Sequence, residues 1–407
     1  MIKGYKLDFL IFLALIIYPL ILVLLAVIYG MSFPCGWTEF WLGVFGYYVC
    51  NITVGVAIHR LWSHGAFKTN KFIEAILMLL SSGTCQGPVI MWASNHYYHH
   101  SYTDKAEDPH SPLRFKNKIK GFIWAHIGWM LFYNPKENIK INKAVAIKLG
   151  KNKLLKWQMK NYWKLVSFMN IVPPVLVGYF LYGNIYGAFA GYIFINLGRS
   201  FQQHATFCVN SLCHFTGTRK YTRINTSKDI WWFAPFLLGE NWHNFHHAFP
   251  KDYRNGHKWY HFDVHKWIIF LMNKLNLAWD LQTTSNLRIN AKIEHTKALI
   301  SKSIQNDWLE LQQKSQKVVL SISKKLKEME DFSINIKEKI QSNLFDLKNK
   351  VNFISASAKN IIKLRGFPSL ELLKSSQRQI HILENKFQLL IKKLDELVIA
   401  KTSNICY

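Results

Sequence analysis

The chain has 407 residues, half of them apolar and 15% aromatic, with a formal net charge of +27. This hydrophobicity excludes a disordered chain, and six Cys in such a length are too few for a disulfide scaffold. Two classes remain: a basic nucleic-acid binder, or a membrane protein whose cations lie on the cytoplasmic side.

Long apolar runs favour the membrane protein and speak against a nucleic-acid partner. Residues 9–29 carry no charge, and a helix of that length crosses a hydrocarbon core of about 30 Å. Further apolar runs lie at residues 40–58, 166–182 and 186–197, the last extending through polar residues to Thr206. They predict an all-α membrane protein with four transmembrane helices in two hairpins.

The distribution of Lys and Arg predicts the orientation of these helices. The turns at residues 30–39 and 183–185 contain neither, whereas residues 105–164 and the chain after Arg219 are rich in both. The N-terminus, the central loop and the C-terminal part are therefore expected on the cytoplasmic side. The high Lys, Asn and Ile content is typical of an AT-rich bacterial genome, so a bacterial inner membrane is expected.

The C-terminal part, residues 284–407, is predicted to be a basic helical extension separate from a membrane domain of residues 1–283. Its apolar residues recur at alternating steps of four and three, as in a coiled coil. The repeat comprises Ile340, Leu344, Leu347, Val351, Ile354, Ala358 and Ile361. After a break at Gly366 and Pro368, a second amphipathic stretch covers residues 370–398. A helical hairpin packed on itself, a coiled-coil arm for self-association and a membrane-surface or partner helix all fit this pattern.

Histidine is concentrated in three clusters. These are His59 with His64, then His96, His99 and His100, then His243, His246 and His247. Residues at i, i+3 and i+4 share one face of an α-helix, so each later cluster can ligate one metal or straddle two. Five α-helical steps separate His59 from His64 by about 140°. These two therefore either bracket a helix end or serve different metals.

All three clusters are predicted on the cytoplasmic side, together with Asn210 and His214, which follow the fourth span. Nine neutral imidazoles suit Zn, Cu, Fe or Ni, and they are too many for one ion but fit two ions with open positions. Iron with open positions can activate O2, and an apolar substrate can reach such a site from the bilayer. A metal transporter is disfavoured, because the first three predicted spans contain no His, Asp or Glu. The other histidines are expected to be ordinary surface or hydrogen-bonded side chains: His110, His126, His204, His257, His261, His265, His295 and His381.

Three motifs carry a family resemblance. HRLWSH (residues 59–64), HYYHH (96–100) and NWHNFHH (241–247) resemble the histidine boxes of the membrane fatty acid desaturases, most closely the stearoyl-CoA Δ9 type. Further similar segments are TDKAEDPHSP (103–112), HIGWM (126–130), ATFCVNSLCH (205–214), HHAFP (246–250) and LAWDL (277–281). The resemblance covers about residues 8–283. The boxes are shared with hydroxylases and related oxidases, whereas the DPH, NSxxH and LAWDL segments are more specific to the acyl desaturase branch.

The resemblance implies a cytoplasmic helical cap that holds a di-iron site. Its ligands would be His59, His64, His96, His99, His100, His214, His243, His246 and His247, with Asn210 reaching a metal through a water. It also implies a bent acyl chain near Gln86, Trp92 and Thr206. The implied function is the O2-dependent introduction of a cis double bond, expected at Δ9, into a saturated acyl thioester or lipid. The alternative is a fatty acid or alkane hydroxylase with the same site.

Two departures from the family bear on the partners. Where the animal enzymes have an Arg-Asp pair before the second box, this chain has Ser94 and Asn95, and the box itself contains Tyr97 and Tyr98. The acyl carrier is therefore left open between acyl-CoA, acyl-carrier protein and a membrane lipid. The C-terminal part, which does not resemble the family, contains no HPGG haem motif and no Cys pattern for an iron–sulfur cluster. A separate electron donor is expected, such as ferredoxin or a cytochrome b5-type protein.

Overall fold

The structure, a computed structural model, describes residues 4–137 and 140–328, together with single positions between 338 and 392. The chain divides into two compact units, Met1–Asn286 and Leu287–Tyr407. The assignment of separate roles to residues 1–283 and 284–407 stays a prediction. The coiled-coil repeat from Ile340 to Ile361 and the stretch 370–398 lie outside the continuously described residues, and no residue of the repeat is among the single positions.

The first unit is predominantly helical. Its long helices are α1 (Phe9–Ser32), α2 (Trp37–Ser63), α3 (Lys71–Gly83), α4 (Val89–Tyr102), α5 (residues 118–131), α6 (Lys143–Gly150), α7 (Lys153–Lys160), α8 (Tyr162–Tyr182) and α9 (Ile185–Asn210). Further helices follow at α10 (Leu212–Phe215), α11 (Ala234–Leu237), α12 (His243–Ala248) and α13 (Val264–Lys274). The second unit begins one residue after the start of α14 (Asn286–Glu328) and also contains the described single positions.

Two short antiparallel strand pairs join distant parts of the first unit. Strand β1 (Lys6–Leu7) pairs with β3 (Phe132–Tyr133), and β2 (Lys68–Thr69) pairs with β4 (Ala278–Trp279). The second pair ties the chain just after α2 to the chain just after α13. The loop that follows the first histidine cluster is thereby anchored to the end of this unit.

Three helices of the described chain are long and apolar enough to cross a membrane. They are Phe9–Ser32, Trp37–Ser63 and Tyr162–Tyr182, which correspond to the first three predicted spans. The chain is therefore an integral membrane protein. The fourth predicted span lies in α9, whose 26 residues form one continuous helix that carries a single charge, Arg199, but is less apolar than these three helices.

Helix α9 nevertheless packs along both α2 and α8. The hairpin turn before it is formed by Gly183, with φ of +70°, and by Asn184, whose side chain accepts the N–H of Gly187. Against α2 the two backbones are in contact: a Cβ on Gly46 would lie 2.1 Å from the carbonyl oxygen of Ile195. Close approach through small residues is typical of helix packing in membranes, where apolar burial gives little drive.

Candidate metal centre

The first histidine cluster lies where α2 leaves its apolar stretch. The last part of α2, Val54–Ser63, is a π-helix, and the N–H of His64 donates to the carbonyl of His59 at 3.1 Å. In a π-helix the residue at i+5 returns to the same face. His59 and His64 therefore point to one place and belong to one group of potential ligand atoms. This speaks against the alternative that they serve different metals, for which the angle of 140° assumed an α-helix.

The nine histidines converge into two groups of imidazoles, and the second and third clusters each contribute to both groups. His96 and His100 of α4 face the first group, whereas His99 faces the second. Helix α12 repeats this division, with His246 in the first group and His243 and His247 in the second. This division is the one expected if each of these clusters straddles two metals.

The first group contains five histidines, each with one ring nitrogen that lies within 4.8 Å of those of the other four. Their Nε2 atoms form a continuous series, His59 to His246 at 3.1 Å, His246 to His100 at 2.9 Å, His100 to His96 at 3.1 Å and His96 to His64 at 2.9 Å. A neutral imidazole carries only one N–H, so five converging nitrogens cannot all satisfy one another by hydrogen bonds. A cation at their centre would accept all five lone pairs.

The second group contains His99, His214, His243 and His247, again within 4.8 Å. The Nε2 of His243 lies 3.1 Å from that of His214 and 3.0 Å from that of His247. The Nε2 of His99 is buried and has no hydrogen-bond partner among the described residues. Because an unpaired buried polar atom is costly, this nitrogen also indicates a ligand that the protein chain itself does not provide.

A carboxylate lies behind the first group. Glu240 is buried, and its Oε2 lies 2.9 Å from Nδ1 of His59, while its Oε1 accepts from Arg60 at 3.2 Å and contacts Nδ1 of His265 at 3.1 Å. When the proton of the neutral His59 ring is on Nδ1, the inward-facing Nε2 is unprotonated and its lone pair is free to bind a metal. Burial would raise the pKa of Glu240, but the attraction of His59 and Arg60 outweighs it and holds the pKa well below its usual range.

Two further acids lie behind the second group. Nδ1 of His99 is 3.0 Å from Oδ1 of Asp108. The hydroxyl of Thr226 donates its hydrogen to Asp104 at 2.9 Å. Because that hydrogen is already used, the hydroxyl oxygen of Thr226 must accept from Nδ1–H of His214, which lies 2.9 Å away. Both arrangements direct the lone pair of Nε2 towards the centre of the group, as in histidines that ligate metals.

Burial favours the neutral form of several of these histidines. It lowers the pKa of His96, His99 and His247 well below its usual value, and the neighbouring imidazoles lower it further. For His214, burial lowers the pKa to about 4. Uncharged imidazoles at pH 7 are the form that binds metal. The donor set, with one group of five and one of four nitrogens and acids on their outer side, therefore fits two transition-metal ions.

The third histidine cluster is oriented by residues distant in sequence. Oδ1 of Asp229 accepts the N–H groups of Asn244 and Phe245 at 2.7 and 3.2 Å, which caps the first turn of α12. The buried Asn244 side chain donates to the carbonyls of Thr222 and Ser227, both at 2.9 Å. The loop that carries Thr226 and the helix that carries the box are thus fixed to one another.

The remaining predicted site residues lie beside the two groups. Asn210 is the half-buried last residue of α9, four positions before His214. Gln86, Trp92 and Thr206 form one hydrogen-bonded set: Gln86 donates to Thr206 at 3.1 Å and accepts from Trp92 Nε1 at 3.2 Å. The indole of Trp92 stacks on His96 with 4.9 Å between ring centroids. This set therefore adjoins the first group directly.

The sequence patterns missed the acids and one histidine. Asp104, Asp108 and Glu240 were not singled out, and His110 was expected to be ordinary, yet its buried ring lies 4.1 Å from that of His99. His99, Asp108 and His110 together form a third group of potential ligand atoms. A signal was present: Asp108 and His110 belong to the DPH segment, and Glu240 lies directly before the third box.

Most of the other histidines take packing roles. His257 stacks on Phe245 and His261 stacks on Trp242, with ring centroids 4.7 and 4.0 Å apart. His126 contacts His204 and Ser211, at 3.2 and 3.0 Å.

Comparison with known proteins gives related sequences. Residues 32–270 match the profile of the fatty acid desaturase family. A probable acyl-CoA desaturase of Schizosaccharomyces pombe is 35% identical over 255 residues, which cover 62% of this chain and 50% of that protein. Acyl-CoA desaturase 1 of Saccharomyces cerevisiae is 32% identical over 279 residues, covering 68% and 52%. Delta-9 desaturase-like 3 protein of Arabidopsis thaliana is 30% identical over 233 residues, covering 57% and 73%.

The chain thus spans about half the length of the two fungal relatives, and about three quarters of the plant relative. The matched segment is more than half of this chain and contains all three histidine clusters together with His214. The chain belongs to the fatty acid desaturase family.

Proposed function

We propose that the chain is an O2-dependent acyl-chain desaturase that introduces a cis double bond, at Δ9, into a saturated fatty acyl group. The observation that carries this proposal is the convergence of nine imidazoles into two groups in a member of the desaturase family. The names of the relatives, acyl-CoA and Δ9 desaturases, support desaturation and do not favour the hydroxylase alternative.

The proposed reaction is R–CH2–CH2–R′ + O2 + 2 e⁻ + 2 H⁺ → R–CH=CH–R′ + 2 H2O. Two bound iron ions would supply the power to oxidise an unactivated C–H bond, which no side chain has. The first group of histidines would hold one ion, and the second would hold the other with Asn210 through a water. Glu240 and Asp108 would keep the Nδ1 protons of His59 and His99 on the outer side.

The substrate would lie against the set formed by Gln86, Trp92 and Thr206. Trp92 offers an apolar surface directly beside His96, and its indole N–H is held by Gln86. These hydrogen bonds between neutral side chains fix the wall of the proposed substrate site without placing a charge in it. The contribution of the chain is then to position one pair of methylenes and to exclude water.

The proposed topology has α9 as a fourth span and the histidine groups on the cytoplasmic face. The packing of α9 along α2 and α8 and the Lys-free turn at residues 183–185 support it. A bacterial inner membrane stays a prediction from composition, and the relatives named above are eukaryotic. Acyl-CoA, acyl-carrier protein or lipid as carrier, a separate electron donor, and self-association through residues 284–407 belong to the same proposal.

The test is gas chromatography–mass spectrometry of total fatty acids from cells that express the chain with a ferredoxin and its reductase. We expect a new monounsaturated acid, whose bond position reads out Δ9, and about two iron atoms per chain by elemental analysis. His99→Ala should abolish the product. His295→Ala, which changes an exposed histidine in α14, should retain it. A hydroxy acid in place of the alkene would support the alternative, and iron-loaded protein without any product would contradict both.

A further inference from the structure

Arg199 is a buried cation in α9, between helices that cross the membrane. Its side chain is only 3% exposed. Nη1 donates to Gln203 Oε1 at 3.1 Å, Nη2 donates to Ser200 Oγ at 3.2 Å, and the guanidinium lies 5.4 Å from the ring of Tyr18. None of these partners is a carboxylate. A charge buried among neutral groups at this depth is costly and usually serves a function.

Arg199 orients the side-chain amide of Gln203. A guanidinium has donors only, so the side-chain oxygen of Gln203 must face it. The NH2 group of Gln203 is then directed to the opposite side, where it donates to the carbonyls of Thr84 and Cys85 at 3.3 and 3.2 Å. Arg199 thereby determines which end of the amide meets the chain between α3 and α4.

That chain segment is a tight turn of residues 84–88. Cys85 has a φ of +55°, in the left-handed region that non-glycine residues rarely adopt. On its other side the turn is held by the hydroxyl of Tyr162, which accepts the N–H of Gly87 at 2.7 Å. The contacts from Gln203 and Tyr162 compensate a backbone conformation that is unfavourable in isolation.

The turn is connected to the histidine groups through Gln86. This side chain joins Thr206 of α9 to the indole N–H of Trp92, and Trp92 stacks on His96. A second amide, Gln202, donates to the same Thr206 oxygen at 2.7 Å. A shift of the turn would therefore move the wall beside the first group of ligands.

We propose that Arg199 is a positioning residue which, through Gln203, holds the 84–88 turn in place and so determines which methylene pair is presented to the metal centre. This inference rests on the proposed desaturase function. A displacement of about 1 Å matters in a reaction that depends on the placement of one C–H bond. The measurable property is then the position of the double bond, beyond the rate alone.

Gln203→Glu is the most informative variant. A carboxylate still accepts from Arg199, and the new ion pair favours folding, but it cannot donate to the carbonyls of Thr84 and Cys85. Arg199→Gln removes the charge, and Arg199→Lys, which keeps it, is the milder substitution if Arg199→Gln does not accumulate. Phe201→Leu is the matched control, because this side chain is on the same helix and 61% exposed.

Two readouts are needed. The first is the rate at which N-ethylmaleimide alkylates Cys85 in membranes containing the full chain, followed by peptide mass spectrometry. We expect Gln203→Glu and Arg199→Gln to raise it about fivefold for each hydrogen bond to Thr84 or Cys85 that is lost, the change in an opening equilibrium that accompanies the loss of one such bond. The second is the distribution of double-bond positions among the products, which should broaden to a neighbouring carbon in both variants. Arg199→Lys should change both in the same direction but less.

Wild-type alkylation of Cys85 in Gln203→Glu would overturn the inference, as would an unchanged distribution of products once the turn has loosened. An effect of Phe201→Leu as large as that of Gln203→Glu would also count against it. If the wild-type chain made no unsaturated acid, the proposed function would fail by itself. The alkylation rates would still decide whether Arg199 holds the turn.

Discussion

The carboxylates behind the imidazoles determine what the histidines can do. Glu240 contacts the Nδ1 atoms of both His59 and His265 and accepts from Arg60, so one buried acid orients a ligand and neutralises a cation. Arg60 also donates to Asp263 at 3.0 Å and to the carbonyl of Tyr253 at 2.7 Å. Arg60, itself fixed by these contacts, therefore holds Glu240 in place independently of His59. Glu240 can then keep His59 oriented when no ion is bound.

Glu240→Gln should weaken binding of the proposed iron ions while leaving the fold intact. The amide occupies the same space but carries no charge, so the proton on Nδ1 of His59 is held less firmly and the ring is a poorer donor. Loss of such a partner typically reduces metal affinity about 10- to 100-fold. Competition with a chelator of known affinity measures it. Glu294→Gln, in a surface pair with Lys297, is the control, and equal affinity in both variants would contradict the role of Glu240.

His126 should make the protein sensitive to acid. Burial, and next to it the neighbouring His204, lowers the pKa of His126 to about 4, against about 6.5 in an unfolded chain. As the pH falls below about 6.5 the unfolded state binds a proton that the folded state does not bind until about 4. Stability is therefore lost as the pH falls through this window.

The substitution His126→Gln should reduce that loss. The other groups in contact with His126 are Ser211, Phe122 and Phe207, none of which titrates in this range. The measurement is the thermal unfolding temperature in detergent at pH 7 and at pH 4.5, compared with His295→Gln. A drop in His126→Gln as large as in the wild type would show that His126 does not contribute.

At the scale of elements, the contact between α2 and α9 determines where the ligands lie. Helix α2 carries His59 and His64 at its end, and α9 leads directly into Asn210 and His214. Their backbones touch at two levels, since a Cβ on Gly198 would lie 1.9 Å from the carbonyl oxygen of Gly43 and one on Gly46 would meet Ile195. The register of these two helices therefore fixes the separation of histidines about 150 residues apart in sequence.

Gly46→Ala should destabilise the protein, whereas Gly43→Ala one turn away should not. The added methyl at position 46 would meet the backbone of Ile195 at 2.1 Å, and backbone cannot move aside as a side chain can. At position 43 the nearest atom, the carbonyl oxygen of Phe194, is an ordinary 3.6 Å away. We expect a loss of about 1–3 kcal/mol for Gly46→Ala, as for other overpacked sites. Denaturation in mixed micelles measures it, and equal stability of the two variants would refute the close contact.

The histidine clusters could be predicted because their chemistry is local. Spacings of three and four place His96, His99 and His100 on one side of a helix, and the apolar runs predict that every cluster lies at the same end of the spans. The π-helix at Val54–Ser63 was not predictable from that reasoning, because one hydrogen-bond step separates it from an α-helix and no residue type signals it. Glu240, Asp104 and Asp108 were missed for a different reason. An acid is ordinary in sequence until the fold brings it against an imidazole.

The whole first unit is connected through the two histidine groups. Their members come from α2, α4, α10 and α12, so ions bound there would cross-link residues 59 to 247. In the unfolded chain these ligands are dispersed, and the binding free energy therefore adds to the free energy of unfolding. Each group alone links distant elements, since the five-membered group joins α2 to α12 and the four-membered group joins α4 to α10.

Removal of the bound metal, which we propose to be iron, should accordingly lower the unfolding temperature of the protein. An ion at 100 times its dissociation constant stabilises the folded state by about 2.7 kcal/mol, and two ions by up to about twice that. The measurement is differential scanning fluorimetry in detergent before and after a chelator, with iron content followed by elemental analysis and with iron then restored. His99→Ala disrupts only the four-membered group and should show about half of the wild-type shift. An unfolding temperature that is unchanged after the iron has left would mean that the histidine groups are rigid without it, held by Glu240, Asp108 and Asp104 alone.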